Sequence, residues 1–218
     1  MIGIIAFSLL VIAIVLFVPV GVLFVECVAA LLPTCADRIL ELPQPKLAVL
    51  VPAHDEAAGI KATLTSLLPQ LVEGDRLVVI ADNCTDATAE IAREVGATVI
   101  ERQDTNRRGK GYALDYGLRY LEETNPPDVV AIVDADCRVE PGTLGAIARL
   151  SLATKRPVQS VYLLESPPQP SPKDTVSALA FSIKNLVRMR GMTQLGLPCL
   201  LAGTGMAFPW QAIRQVSL

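Results

Sequence analysis

Four short apolar runs punctuate residues 46–133, and a stretch of helical spacing separates each from the next. That alternation constrains the fold more than any other feature of the chain. The runs are Lys46 to Val51, Arg76 to Ile80, Ala97 to Glu101 and Val129 to Val133. The last, Val-Val-Ala-Ile-Val, has the composition of a strand buried on both faces. Between the runs, Ala57 to Leu68 is helical in period, with Pro69 just beyond it. Thr85 to Val95 is predicted as a helix, with Thr85 or Asp86 as N-cap and Gly96 as C-cap. Gly109 to Glu123 is predicted as a helix ended by Asn125-Pro126-Pro127, and Pro141 to Leu150 as the helix after the fourth strand. Strands and helices alternating through short connections imply an α/β fold, a mostly parallel sheet flanked by helices.

In such sheets ligands gather at the carboxyl ends of the strands, so those four ends are where chemistry is sought. They are Pro52-Ala53-His54-Asp55-Glu56, Ala81-Asp82-Asn83-Cys84-Thr85-Asp86, Arg102 to Lys110, and Asp134-Ala135-Asp136. The first, second and fourth carry carboxylates. The third carries Arg107, Arg108 and Lys110, which suit phosphate oxygens. Asp134 and Asp136 share a face if the chain stays extended. They then suit a hard cation such as Mg²⁺ or Mn²⁺, which takes oxygen ligands and often shares them with substrate phosphates. Taken alone, Asp-x-Asp equally describes a solvated strand-end turn. An acidic pair and a basic loop at one sheet edge together point to a nucleotide diphosphate.

The sequence before the first run reads differently. Of its 218 residues the chain has 51% hydrophobic, and the excess lies at the N-terminus. Ile2 to Val25 is apolar apart from Ser8. As a helix it would run about 36 Å, enough for a hydrocarbon core of about 30 Å, and Pro19 is tolerated in such a helix. A cleaved signal fits less well, because no Lys or Arg precedes the stretch and it is long for that role. Residues 1–33 are therefore expected to form a membrane anchor and 34–46 a linker, stiffened by Glu41-Leu42-Pro43-Gln44-Pro45. Arg38 and Lys46 are the first basic residues after the span. The positive-inside rule then places one N-terminal span in the cytoplasmic membrane with the remainder in the cytoplasm. Five scattered cysteines, without a CxxC pair, suit a reducing compartment. A net charge of −3 gives no reason to expect nucleic acid. His54 is the only histidine, which excludes a histidine metal cluster.

Four blocks, in order and on predicted strand ends, resemble a family 2 glycosyltransferase of the nucleotide-sugar-dependent GT-A fold. They are Val51-Pro52-Ala53-His54-Asp55-Glu56, Ala81 to Asp86, Arg108-Gly109-Lys110-Gly111-Tyr112-Ala113-Leu114, and Val133-Asp134-Ala135-Asp136. The resemblance covers residues 47 to about 208, and the whole of 47–218 is expected to be the GT-A domain. It implies that Pro52, Ala53, His54 and Glu56 form the first nucleotide-contacting loop, with Glu56 near the ribose or uracil. Many members carry Asn where this chain has Asp55. Asp82 resembles the carboxylate that reads the base edge, where members often pair two Asp and this chain has Ala81. Arg108 and Lys110 would face the diphosphate, Asp134 with Ala135 the ribose or metal, and Asp136 the divalent ion. The implied reaction is inverting transfer from a nucleotide-diphospho-sugar, most simply a UDP-sugar, to a glycan or lipid-linked acceptor.

In the family resembled, the general base is an Asp in an acidic motif after the Gly-rich segment that Gly203-Thr204-Gly205-Met206-Ala207-Phe208 matches. No acidic residue follows Asp174, so the catalytic base is expected beyond Leu218 and the domain is expected to be incomplete. Glu165, before Ser166-Pro167-Pro168, is the alternative. Gly203-Thr204-Gly205 reads either as a phosphate cradle or as a tight turn beside the acceptor site. Val176 to Met192 has apolar residues at helical spacing with Lys184, Arg188 and Arg190 between them. It reads as a core-facing helix with a solvated face, or as a basic helix on a membrane surface. His54 is expected to hydrogen-bond locally, and Cys84 and Cys137 to serve as small side chains. Two other functions share parts of this pattern. A nucleotidyltransferase would show more glycine after the first strand than residues 52–59 contain, and a non-catalytic donor-binding partner of a membrane synthase would lack the base.

Overall fold

A computed structural model of the protein describes residues 2–33 and 41–216. Arg38 and most of the expected linker lie outside the described residues. The chain divides into two compact units, Met1–Thr34 with Val161–Leu200, and Cys35–Ser160 with Leu201–Leu218.

The larger unit is built on a six-stranded sheet. β1 (Leu47–Ala53), β2 (Arg76–Asp82), β3 (Thr98–Arg102) and β4 (Val129–Ile132) are the four expected strands. All their mutual pairings are parallel. Two strands that the pattern did not predict, β5 (Val158–Gln159) and β6 (Met206–Pro209), complete the order β3-β2-β1-β4-β6-β5. β6 runs antiparallel to both β4 and β5, so the sheet is mostly, not wholly, parallel. The helices between the strands are α2 (Ile60–Leu67), α3 (Thr88–Glu94), α4 (Lys110–Thr124) and α5 (Thr143–Thr154).

The period-2 alternation of a strand sorts the core into two layers. Val49, Val51, Val79 and Ala131 face one side, where Ile60, Leu64, Leu67, Leu144 and Ile147 cover them. Ala48, Leu50, Val78, Ile80 and Val130 face the other, under Leu114, Leu118 and Leu121 of α4. Burial on both faces is why these runs are nearly continuous in apolar residues.

α1 (Ile2–Ala29) opens the smaller unit, and its window from Gly3 to Ala29 is long and apolar enough to cross a membrane. The other part of this unit is a continuous helical run: α6 (Pro172–Ser182), a π-helical segment Ile183–Arg188, and α7 (Met189–Gln194). Ser171 caps it through a reciprocal capping box with Asp174. The run docks against the C-terminal end of α1. Arg188 Nε pairs with the buried Glu26 carboxylate at 2.6 Å, and Arg190 and Gln194 donate to the Leu32 and Pro33 carbonyls. A Cβ on Gly191 would collide with the Glu26 carbonyl. The residues buried along this run are Asn185 and Gly191, and α6 buries none. That corrects the expectation of a core-facing helix. The contact with α1 is made by small and polar positions, while Val176 and Leu179 stay 66% and 61% exposed.

Candidate active site

The C-terminal ends of β1, β2 and β4 and the start of α4 surround one cavity of about 320 Å³. Pro52, Ala53, His54, Glu56, Asp82, Arg108, Lys110, Asp134, Ala135 and Asp136 all line it. Asn83, Gly109 and Ala113 complete the wall. Thus residues from four stretches distant in sequence meet in one place, all of them in the larger unit.

Each wall is fixed by a local device. Asp55 and Asn83 hold φ of 54° and 53°, the left-handed region that Asp and Asn enter more readily than most residues. Asp55 does not line the cavity. Its Oδ1 accepts from the Thr85 N–H at 2.7 Å, which ties the β1 loop to the β2 loop. An Asn there could take the same left-handed backbone and accept the same bond. His54 donates from Nδ1 to the Asp82 carbonyl at 2.7 Å, the local bond expected of it.

Asp82 is buried, and its Oδ1 accepts from Arg102 Nη1 at 2.6 Å and from Asn83 Nδ2 at 3.1 Å. Arg102 also donates to the Arg107 carbonyl at 2.7 Å and pairs with Asp104 at 3.2 Å. Its guanidinium lies 5.7 Å from the Tyr112 ring centroid. Asn83 Oδ1 in turn accepts from the Asp104 N–H at 2.8 Å. Arg107, Arg108 and Lys110 are the basic groups expected of this loop from the sequence, and Arg102 is not among them. A strand-end arginine has no local signature for a contact twenty residues away; only the topology supplies it.

The Asp-x-Asp segment is not extended through both carboxylates. β4 ends at Ile132, and the Cys137 N–H donates to the Asp134 carbonyl at 3.2 Å, closing a turn. The turn, rather than the strand pleat, brings the two side chains together. One carboxylate oxygen from each of Asp134 and Asp136 and the Cys137 sulfur lie within 4.8 Å of one another. The turn is held from below by Thr63, whose hydroxyl donates to the Ala135 carbonyl at 2.7 Å, and from the side by Thr204 Oγ1, which accepts from the Asp134 N–H at 3.0 Å. Two adjacent carboxylates are a donor set that fits a hard divalent cation. Burial, above all, pushes the Cys137 thiol above its ordinary range, with the neighbouring aspartates adding to the shift. Burial likewise raises the Cys84 thiol. Both shifts favour the neutral thiol over the thiolate.

Lys110 opens α4. Its ammonium pairs with Asp134 and donates to the Gly203 carbonyl at 2.6 Å. No side chain caps this helix, and Gly109 and Lys110 at its start line the cavity, so the positive end of its dipole lies at the wall. The Gly203-Thr204-Gly205 segment is a tight turn: Gly203 and Gly205 hold φ of 95° and 63°, where a Cβ would be strained. Gln159 braces it, donating to the Thr204 carbonyl and accepting from the Ala202 N–H. The segment does not line the cavity, but Lys110 and Thr204 fasten it to the acidic turn. Glu165, the alternative base, lies in the other unit and is exposed.

Solved structures place this arrangement in a class. The chain is similar in fold to mannosyltransferase PcManGT from Pyrobaculum calidifontis, solved with GDP-Man and Mn²⁺. The TM-score is 0.60 at 20% identity, covering 93% of this chain and 57% of that one. Glucosyl-3-phosphoglycerate synthase from Mycobacterium tuberculosis, solved with Mn²⁺, UDP and glucosyl-3-phosphoglycerate, gives a TM-score of 0.52 at 25% identity, covering 77% and 57%. The architecture is that of a GT-A glycosyltransferase. A family model described as glycosyl transferase family 2 matches residues 48–186, more than half of the chain, and the chain belongs to that family. Among curated relatives, the probable glycosyltransferase YdaM of Bacillus subtilis is 34% identical over 113 residues, 48% of this chain and 26% of that protein. The low-salt glycan biosynthesis hexosyltransferase Agl6 of Haloferax volcanii is 39% identical over 97 residues, 43% and 21%. The chain thus spans about a quarter of the length of these relatives.

Proposed function

We propose that this glycosyltransferase takes a nucleotide-diphospho-sugar, a UDP-sugar in the simplest reading, and passes a hexosyl or acetylhexosaminyl group to a glycan or lipid-linked acceptor with inversion. The observation that carries this is the single cavity in which carboxylates from three strand ends face Lys110, Arg108 and an uncapped helix N-terminus. Asp82 and Glu56 would hold the nucleoside, by their resemblance to the base- and ribose-binding positions of the family. Arg108, Lys110 and the start of α4 would hold the diphosphate, since oriented cations and backbone N–H groups favour the charge that grows on the leaving group. Asp136, with Asp134 beside it, would hold Mg²⁺ or Mn²⁺, and such an ion, when bound, stabilises that same charge without a proton transfer. The Lys110–Asp134 pair would then loosen, freeing the ammonium for phosphate oxygens.

We also assign the membrane to this protein as a partner. α1 is exposed along most of its length, and the exposed apolar residues of α6 lie on a helical run that also carries Lys173 and, in its π-helical segment, Lys184. On this reading α1 is a single span of the cytoplasmic membrane and the larger unit works in the cytoplasm.

Calorimetric titration with UDP tests the site. Binding should require Mn²⁺ or Mg²⁺, and Asp136→Ala should reduce affinity to the level seen in EDTA. Equal UDP affinity with and without the ion would overturn the metal assignment. Transfer from a labelled donor by the isolated chain separates an enzyme from a donor-binding partner of a larger synthase.

A further inference from the structure

The register of β4 and β6 sets Ile132 opposite Met206. Continued two residues past the strand ends, it sets Asp134 opposite Thr204, and the Asp134 N–H donates to Thr204 Oγ1 at 3.0 Å. Thr204 is 3% exposed, and its hydroxyl makes a second bond. It donates to Cys137 Sγ at 3.5 Å, and Cys137 Sγ in turn donates to Asp136 Oδ1 at 3.5 Å. A hydroxyl accepts and donates at once, and a thiol does so more weakly. The donors therefore point one way along a single chain of bonds, which begins on one residue of the Asp-x-Asp pair and ends on the other. The bonds from the Cys137 N–H to the Asp134 carbonyl and from Thr63 to the Ala135 carbonyl hold the backbone of the turn. The Cys137 thiol holds the Asp136 side chain. Thr204 itself has little freedom. Gly203 and Gly205 flank it at φ of 95° and 63°, Gln159 Nε2 donates to its carbonyl at 2.8 Å, and a Cβ on Gly205 would lie 2.2 Å from Ser160 Oγ. The glycine turn thus delivers one hydroxyl to the acidic turn.

We propose that Thr204 and Cys137 are positioning residues for the cation-binding carboxylates, and that the chain of bonds through them sets how Asp134 and Asp136 stand relative to each other. The proposal rests on the reading that Asp136, with Asp134 beside it, holds Mg²⁺ or Mn²⁺. Hard cations take oxygen ligands, so a thiol serves such a site better as a donor to a carboxylate than as a ligand. Ligating carboxylates are held by hydrogen bonds of their own, and losing such a partner lowers metal affinity about 10- to 100-fold. Mg²⁺ demands near-ideal geometry where Ca²⁺ tolerates irregular ligand sets. Loosening this pair should therefore cost the small ion more than the large one.

The test is calorimetric titration of the full chain in detergent with UDP at a series of Mn²⁺, Mg²⁺ or Ca²⁺ concentrations, read as the concentration of ion that half-supports binding. Thr204→Val keeps the shape of the side chain and removes both of its bonds. Cys137→Ala removes the thiol at a half-buried position and decides the matter alone if Thr204→Val does not fold. Each should raise the half-supporting Mn²⁺ concentration about tenfold or more, and that of Mg²⁺ by a larger factor than that of Ca²⁺. Thr204→Ser and Cys137→Ser keep a group that accepts and donates, and should restore most of the affinity. The double variant Thr204→Val/Cys137→Ala should be no weaker than the worse single one, because both interrupt the same chain. A merely structural role would lower the melting temperature and leave the ion requirement of the folded protein as it was. An unchanged ion requirement in either folded single variant, or losses that add in the double, would overturn the proposal. Asp136→Ala reads the cation site separately. If it abolishes ion-dependent binding while Cys137→Ala does not weaken it, the site stands and its positioning through Cys137 falls. If the wild type binds UDP equally without the ion, the cation reading falls and this proposal falls with it.

Discussion

Arg102 ties the Asp82 carboxylate to the 104–107 loop that leads to Arg108 and Lys110. Its side chain and that of Asp82 are only 10% and 9% exposed. At that burial, removing one partner leaves a charge with neither water nor counter-ion, a loss of about 3–5 kcal/mol in comparable pairs. Arg102→Leu should therefore lower the urea unfolding free energy by about that amount, and it should weaken UDP binding in any fraction that stays folded, because Asp82 and the 104–107 loop lose their common anchor. Arg102→Lys should recover part of the stability but not the bond to the Arg107 carbonyl, since an ammonium lacks the fork that spans Asp82 and that carbonyl together. A folded Arg102→Leu with unchanged stability would mean that water reaches Asp82 freely. This residue also marks where sequence reading stops. Asp82, Lys110 and Asp136 could be picked out because charged residues gather at the expected strand ends, in blocks that resemble the family's. Arg102 looks like any charge closing a strand until β3 is known to lie beside β2.

At the level of elements, β1 to β4 and α2 to α5 were legible because burial on both faces writes continuous apolar runs, and helix caps and prolines bound what lies between. β5 and β6 were not. Two residues and four residues are too short for a period to register, and Met206–Pro209 follows a glycine turn whose direction depends on φ values of 95° and 63°. The acidic turn was legible in composition and not in conformation: Asp134 and Asp136 would share a face of an extended chain, and the chain bends there instead. The capping box that begins α6 is a local device with a local consequence. Ser171→Ala removes the side-chain acceptor for the Asp174 N–H, and a change of this kind should speed amide exchange in the first turn roughly fivefold. The Ser171 hydroxyl, first among its hydrogen bonds, holds the Asp174 carboxyl below its ordinary value of 3.8. A carboxyl depressed on folding contributes stability that is complete above its unfolded value and lost as pH falls through the folded one. The box should thus be intact at neutral pH and fray only in acid below that ordinary value. Exchange that is equally fast at neutral pH in wild type and Ser171→Ala would show that the box does not hold the turn.

For the whole molecule, the two units differ in what they leave exposed. The larger unit buries the apolar residues of its central strands, with Leu50, Val78 and Val130 at 0% exposure, while α1 leaves Phe17 and Phe24 74% and 68% exposed. Moving a large apolar side chain out of water is worth about 1.5–3 kcal/mol, and α1 presents such side chains along most of its length. A bilayer covers all of them at once. The charged residue in α1, Glu26, lies near its C-terminal end and is paired with Arg188. That is where a membrane helix tolerates charge, because the interface is close and the partner is supplied by the same unit. Two outcomes follow for the chain expressed in bacteria. Alkaline carbonate should leave it in the membrane fraction; release into the supernatant would remove α1 as a span. In a cysteine-free background, Glu73→Cys, an exposed position of the larger unit, should react with a membrane-impermeant maleimide only after the membrane is opened. Labelling in intact cells would reverse the orientation and place the donor cavity on the side where nucleotide-sugars are not made, which no assignment of Asp136 or Lys110 would survive.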